Sequence, residues 1–383
     1  MKKLYAFIVL CFVAVAVGAQ SSKVQLNSIG MVTQSNITYQ LYSDNTAEVF
    51  TATNASGDVV IPSAIQYNGN SYTVNWIAME AFQSNTVITS VVIPNTVTTI
   101  EKNAFESCIN MTKAEMPNSV TNLGDGVFYN CSSLVDITFT DKLTEIPKMT
   151  FQGCGSLVSF TVPENVTSIG DGAFSMCQSL SKVILPSSLT KIGAAAFSWD
   201  SDLEEINFPE KLESLGDNCF KYAGVVEASF QEGLKSIGAY AFCQNTRLRS
   251  IHFPKSLQTI GLEAFSGNWR VSEVRCESAT PIAISANVFS GCNGTLYVPR
   301  GSAAAYKAAQ GWDHFATVVE PLLMGDANQD GKVDVSDVTV VVNYILNVGG
   351  FSSADAMDAA NVCKDSNIDV SDVTGIINII LSK

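Results

Sequence analysis

The sequence predicts a β-rich solenoid of 23-residue coils followed by a small all-α module with two cation loops. Three observations predict it. Phe82, Phe105, Phe128, Phe151, Phe174, Phe197 and Phe220 recur every 23 residues, and Phe242, Phe265 and Phe289 follow at 22, 23 and 24. Pro94, Pro117, Pro163, Pro186, Pro209 and Pro254 hold a second slot. After Pro321 the pattern stops, and residues 321–383 hold nine Asp, no Glu and three Lys, several spaced to wrap a cation. Composition agrees: 46% of the 383 residues are hydrophobic and only 15% charged, against roughly 25% charged in an average globular chain. The net charge of −14 disfavours partners held by phosphate neutralisation, so no nucleic-acid partner is expected and anionic lipid surfaces rank last. Two histidines leave little room for His-based catalysis or zinc chemistry.

In chain order, Lys2 and Lys3 precede an apolar run from Leu4 to Val17 and then small residues ending at Ala19, the pattern of a secretory signal peptide over residues 1–19. The run is shorter than the roughly 20 residues a spanning helix needs, so a transmembrane anchor is the weaker reading. Cys11 lies mid-run after Leu10, unlike a lipidation site. No other stretch is long enough to span, so no transmembrane anchor is expected. Residues 20–75 are read as an N-terminal cap with the first irregular strands.

The coils occupy residues 76–320. In Leu134-Val-Asp-Ile137-Thr-Phe139-Thr-Asp-Lys-Leu143-Thr-Glu-Ile146 the apolar positions first alternate, as a half-buried strand requires, then step by three. A single coil has too few apolar groups to bury its own face, so stacking must supply the core. Where it occurs, the proline after the strand stops it. The Ile-Gly step at Ile169-Gly170, Ile192-Gly193, Ile237-Gly238 and Ile260-Gly261 is expected to supply a tight bend. Cys108, Cys131, Cys154 and Cys177 also repeat every 23 residues, as buried free thiols in one slot rather than designed pairs, although neighbouring rungs about 5 Å apart could bridge. Two strand slots should face outward, one column running from Ser90 to Glu273 and the other from Val92 to Arg275. Thr161, Asn207, His252 and Arg275 are candidates for a recognition face there. The turn at Gly224 and the loss of proline at Gln231 mark one irregular coil.

The stretches IPNTVTTIEKNAFESC from Ile93, VPENVTSIGDGAFSMC from Val162 and LPSSLTKIGAAAF from Leu185 resemble the BspA-like, or treponemal-type, leucine-rich repeats of bacterial surface proteins. LYVPRGSAAAYKAAQGW, from Leu296 to Trp312, is similar to the terminal coil and cap of that family. The resemblance spans roughly residues 24–320. It implies a leucine-rich-repeat solenoid at the cell surface and leaves the ligand to the exposed positions.

In the last segment Asp326, Asn328, Asp330, Asp334 and Asp337 stand at positions 1, 3, 5, 9 and 12 of a loop, with Gly331 at position 6 and the Lys332 carbonyl at 7. Such an EF-hand-like order gathers the six to eight oxygens that Ca2+ prefers. A second copy, 35 residues on, offers Asn361, Asp365, Asn367, Asp369 and Asp372. It carries Cys363 at position 3 and Ser366 at 6, placing a soft sulfur before a hard ion. One firm and one weak calcium site are therefore expected. Apolar stripes follow each loop: Val338, Val341, Val342 and Ile345, then Val373, Ile376, Ile377 and Ile380.

Two such loop-helix units in residues 321–383 resemble a type I dockerin domain; Asp at position 12 fits that family rather than the helix-loop-helix sensors. The resemblance implies calcium-dependent folding and docking to a cohesin module, usually in polysaccharide-degrading assemblies. Its contact positions 10 and 11 fall on Val335, Ser336, Val370 and Ser371; Val-Ser replaces the Ser-Thr common there. The reading is a secreted, extracellular or cell-surface, non-catalytic interaction protein whose solenoid binds a protein or glycan; a periplasmic location stays open. Two alternatives remain. One is a glycoside hydrolase or protease component of such an assembly; against it, no nucleophile-base or zinc motif survives outside the repeats, and Glu204 and Glu205 point to opposite faces of a strand. The other is a surface adhesin for host matrix.

Overall fold

A computed structural model describes residues 28–382; the signal segment expected at residues 1–19 lies outside the described residues. The chain opens with antiparallel strands Ser28–Gln34, Ile37–Tyr42 and Thr46–Thr51. The first hairpin turns through Ser35 and Asn36, both at positive φ (50° and 62°), which matches the right-handed strand twist. These strands close the end of the stack and start its ladders. Asn70–Ile77 pairs in parallel with Thr46–Thr51 on one side and Thr99–Ile100 on the other. Gly57–Val60 pairs in parallel with Ile88–Val92. An open end of stacked backbone would otherwise template association.

Each coil then contributes a first strand of mostly three residues and a second of two, such as Lys113–Glu115 and Asn122–Leu123. Both stack in parallel on their counterparts. The second-strand ladder runs unbroken from Glu145–Ile146 to Thr259–Ile260. The first-strand ladder is interrupted after Glu205–Ile206, at the irregular coil marked by Gly224, and also after Asp136–Thr138. The wall of Ala-Phe turns is bonded coil to coil as well: Phe82, Phe174 and Phe242 donate N–H to the carbonyls of Ala104, Ala196 and Ala264 at 2.7, 2.8 and 2.7 Å. Three hydrogen-bonded walls therefore surround one core, with bonds to the neighbouring coil alternating with tight-turn bonds inside each coil, such as Cys108 N–H to the Phe105 carbonyl.

The repeated phenylalanines fill that core as one continuous stack. Phe82 and Phe105 lie 4.7 Å apart between centroids, and Phe174 and Phe197 lie 5.2 Å apart and nearly parallel at 2°. Burial of an aromatic side chain is worth about 1.5–3 kcal/mol per rung. The cysteine slot is a hydrogen-bonding column: Cys108, Cys131, Cys154 and Cys177 donate Sγ–H to the carbonyls of Phe82, Phe105, Phe128 and Phe151 at 3.1–3.2 Å. The nine described cysteines are free thiols, and burial pushes Cys108 and Cys154 up to about 12.

The glycines after isoleucine serve a different purpose from the bend expected of them. A Cβ on Gly170, Gly193, Gly238 or Gly261 would come within 2.3–2.7 Å of backbone nitrogen in the preceding coil. These glycines set the stacking distance. Positive φ falls two residues later, at Gly172 (63°), Ala195 (53°), Tyr240 (57°) and Glu263 (51°).

The last coil is closed by helix α1, Ala303–Ala308, by buried Trp312 and by strand Thr317–Val319. Ser302 makes no side-chain cap for α1. Glu320 does so instead, accepting from the N–H groups of Gly301 and Ala303 at 2.8 and 2.6 Å. Burial opposes its charge, yet these N–H groups and the Arg300 charge prevail and hold it below the usual carboxylate range.

The C-terminal segment forms helices α2, Val335–Ile345, α3, Ala354–Ala360, and α4, Val370–Leu381. Their core of Ala327, Val333, Val341, Ala360 and Ile376 is separate from the solenoid core. Helix α3 has no counterpart among the expected elements; alanines Ala356, Ala359 and Ala360 bury it, and a stripe so short and small leaves little hydrophobic signal. On α4 the expected stripe holds at Val373, Ile376 and Ile380, whereas Ile377 is exposed and Ile379 packs on the core in its place.

Candidate calcium loops and interaction faces

The aspartates that the sequence assigns to calcium also start the helices. Asp334 and Asp337 form a reciprocal capping box at the start of α2, and Asp369 and Asp372 form the same box at α4, satisfying free N–H groups at each helix start. In the first loop Asp326 Oδ1 accepts from the N–H of Asp330 at 3.0 Å, and Oδ2 from the N–H of Gly331 at 3.1 Å. Gly331 lies at φ 89°, the left-handed turn for which glycine suits position 6. Asp330 Oδ1 accepts from Lys332 N–H at 2.9 Å, and Asp337, fully buried, accepts from the N–H groups of Asn328 and Asp334. The chain is wound around the position-1 carboxylate. Oxygen-only donors on a glycine-pivoted wrap suit a hard cation. The carboxylates are each held by backbone N–H groups and not drawn together: among the described residues no three Asp, Glu, His or Cys side chains form a ready-made metal cluster.

The second loop repeats the capping geometry and loses part of the wrap. Asn361 accepts from Asp365 N–H at 3.2 Å and also donates its amide to the Asp365 carbonyl at 2.7 Å. Lys364 lies at φ 54°, matching Gln329 at 60° in the first loop, whereas Ser366 has no positive φ to match Gly331. Asn367 donates N–H to Asp365 Oδ1 at 2.9 Å, and Cys363 is exposed.

The four positions that the dockerin resemblance assigns to partner contact divide in two. Val335 and Val370 are 69% and 66% exposed at the first turns of α2 and α4. Ser336 and Ser371 turn back to their loops, donating Oγ–H to Asp334 and Asp369 at 2.6 Å. The two valines thus stand exposed at equivalent places on the two helices.

On the solenoid, the two outward columns stand in parallel register, with His252 opposite Arg275. Both are already engaged on this chain: His252 lies 3.0 Å from Glu277, and Arg275 is paired with Glu273 and lies over the Tyr297 ring at 4.4 Å. Thr161 is exposed. Asn207 bonds both ways to the Leu185 backbone, at 2.9 and 3.0 Å; beyond the short strand Glu205–Ile206 its amide continues the ladder.

The sequence pattern gave no notice of a third surface. The slot two residues after each repeated phenylalanine lies at positive φ in every coil, and Ser84, Ser107, Asn130, Gly153, Gln244, Gly267 and Gly291 occupy it in seven of them. In three successive coils it holds Met176, Trp199 and Tyr222 at φ 64°, 69° and 59°. Bulky side chains are rare in that conformation. All three are exposed, and the Trp199 and Tyr222 rings stack at 4.1 Å. The one signal for it is the succession of Met176, Trp199 and Tyr222 in a slot that elsewhere holds Ser, Asn, Gln or Gly.

A capped parallel-ladder solenoid joined to a paired loop-helix module defines the class, an interaction protein with two separately built parts. Comparison with protein families specifies it. Residues 75–203 and 167–295 match the BspA type leucine rich repeat region, together more than half of the chain. The chain belongs to that family, and residues 324–381 match the dockerin type I domain, a calcium-binding module of cohesin partners. Similar solved structures include a leucine rich cell surface protein from Faecalibacterium prausnitzii, 23% identical, covering 77% of this chain and 95% of that one with a TM-score of 0.46. A leucine-rich repeat protein from Bacteroides ovatus is 22% identical, covering 76% and 88% with a TM-score of 0.43. A T. pallidum leucine-rich repeat protein is 23% identical, covering 63% and 91% with a TM-score of 0.44. No curated protein matches the chain. Among the described residues, no helix is long and apolar enough to cross a membrane.

Proposed function

We propose that this is a secreted, non-catalytic interaction protein. Its solenoid, residues 76–320 behind a cap at 20–75, holds a protein or glycan, and its dockerin, residues 321–383, docks to a cohesin-type scaffold when calcium is bound. Asp326, Asn328, Asp330, Asp334, Asp337 and the Lys332 carbonyl would hold the firm ion. Asn361, Asp365, Asn367, Asp369 and Asp372 would hold a weaker one, since the second loop lacks the glycine pivot. Calcium would supply the charge that gathers acidic loop oxygens and fixes the starts of α2 and α4. The observation that carries this reading is the paired capped loops, each presenting an exposed valine, on a core of their own beside the solenoid. A polysaccharide-degrading assembly is the setting that the dockerin suggests.

The test is capture of the full chain on immobilised cohesin modules, with calcium and with chelator, alongside a protein and glycan array. Calcium-dependent capture, lost about tenfold or more when Val335 and Val370 are both changed to Asp, is the expected result. Capture indifferent to chelator and to both substitutions, or hydrolysis of arrayed glycans, overturns it.

A further inference from the structure

Arg300, in the turn that leads into α1, reaches across to the first calcium loop. Its Nη2 donates to Asp326 Oδ2 at 2.8 Å, and the Asp326 side chain is only 5% exposed. The same guanidinium nitrogen stands 4.0 Å from where a Cβ on Gly331 would be, so it lies over the position-6 turn. Arg300, Glu320, Leu323, Asp326 and Gly331 line a cleft of about 490 Å3 between the solenoid's closing turn and the loop. Asp326 Oδ2 thus serves one N–H of its own loop and one fixed positive charge from the other part of the molecule.

We propose that Arg300 makes the joint between solenoid and dockerin sensitive to calcium, by competing with the ion for Asp326; this rests on the calcium reading of the first loop. A cation held by the position-1 carboxylate requires the lone pairs that the guanidinium engages, and it meets a like charge at hydrogen-bonding distance from that oxygen. Calcium therefore loosens the Arg300 contact, and the Arg300 contact weakens calcium by the same factor, as linkage requires. When the contact is released, the two parts remain joined through the chain at Pro321 and Leu322, and the dockerin can swing to meet a scaffold. Val335 and Val370 are exposed while the contact is closed, so the joint controls the reach of the docking face and does not cover it.

The test compares the full chain with its Arg300→Gln variant by calcium titration calorimetry and by small-angle scattering. The variant is expected to bind the tighter ion about fivefold or more strongly, within the ordinary range for coupled sites. Without calcium its radius of gyration should already equal that of the calcium-loaded wild type. Calcium binding of equal affinity in both proteins, or a calcium-free variant as compact as the calcium-free wild type, overturns the joint and leaves the calcium loop standing. Failure of both proteins to bind calcium overturns the loop reading and the joint together.

Discussion

Asp200 breaks the chemistry of its slot. Three residues after the repeated phenylalanine, the coils place Asn85, Cys108, Cys131, Cys154, Cys177, Asp200, Ala223, Asn245, Asn268 and Cys292. Cys108, Asn245 and Asn268 each donate to a phenylalanine carbonyl, of Phe82, Phe220 and Phe242. Asp200 is fully buried, accepts from Cys177 N–H at 2.8 Å, and its Oδ2 makes no hydrogen bond. Burial drives its carboxyl far above the usual range, against the single N–H that opposes it. With the folded-state value raised, the folded chain keeps a proton that the unfolded chain gives up above about pH 4. Stability from this group is complete below that pH and declines as pH rises toward the folded value. Asp200→Asn should stabilise the solenoid at pH 7 by about 1–3 kcal/mol and do little at pH 4. Urea unfolding at the two pH values checks this, and equal effects at both would refute the buried-acid account. The periodicity made the slot visible, but the sequence could not say that its cysteines and asparagines are hydrogen-bond donors.

Among elements, the second strand and the glycine after it set how closely coils approach. Gly238→Ala would put a Cβ 2.5 Å from backbone atoms of Asp217 and Gly216, which only a shift of two coils can relieve. A loss of about 1–3 kcal/mol, in the range of overpacked core positions, is the expected result. A Cβ on Gly155 would meet no atom within 4 Å, and its φ is not left-handed, so Gly155→Ala should be neutral or stabilising by about 0.5 kcal/mol. Thermal melts of the two variants measure the contrast, and equal losses would mean that bend conformation, not clearance, explains the glycines. The interval was legible in the sequence, and the physical reason for it was not. A glycine needed for clearance looks the same in a sequence as one needed for its dihedral. The exposed strand columns were legible because alternation sorts side chains between faces. The Trp199 and Tyr222 stack was not, because the turn residues have no such rule.

Across the whole molecule two cores share one chain, and they should respond differently to calcium. The solenoid is held by backbone ladders and a phenylalanine stack, whereas α2 and α4 begin on carboxylates of the loops. Calorimetry of the full chain should show two transitions, of which only the smaller rises with calcium, by about 2.7 kcal/mol of stabilisation at a hundredfold excess over the dissociation constant. A single transition that moves with calcium would mean that the two parts unfold together. The acidic balance of the chain divides accordingly. The last 63 residues carry a net −6 that serves the loops, and the rest is spread thinly over the solenoid.

From the sequence alone came the repeat, its strand faces, the buried thiol column and the order of oxygens in the first loop. Each depends on local spacing, and a solenoid converts sequence spacing directly into spatial neighbours. Tertiary structure alone decided what crosses between distant places: the clearance that demands glycine, the unbonded buried oxygen of Asp200, and Arg300 held against Asp326. Those features depend on atoms brought together by stacking and by the closing turn, and no period in the sequence records them.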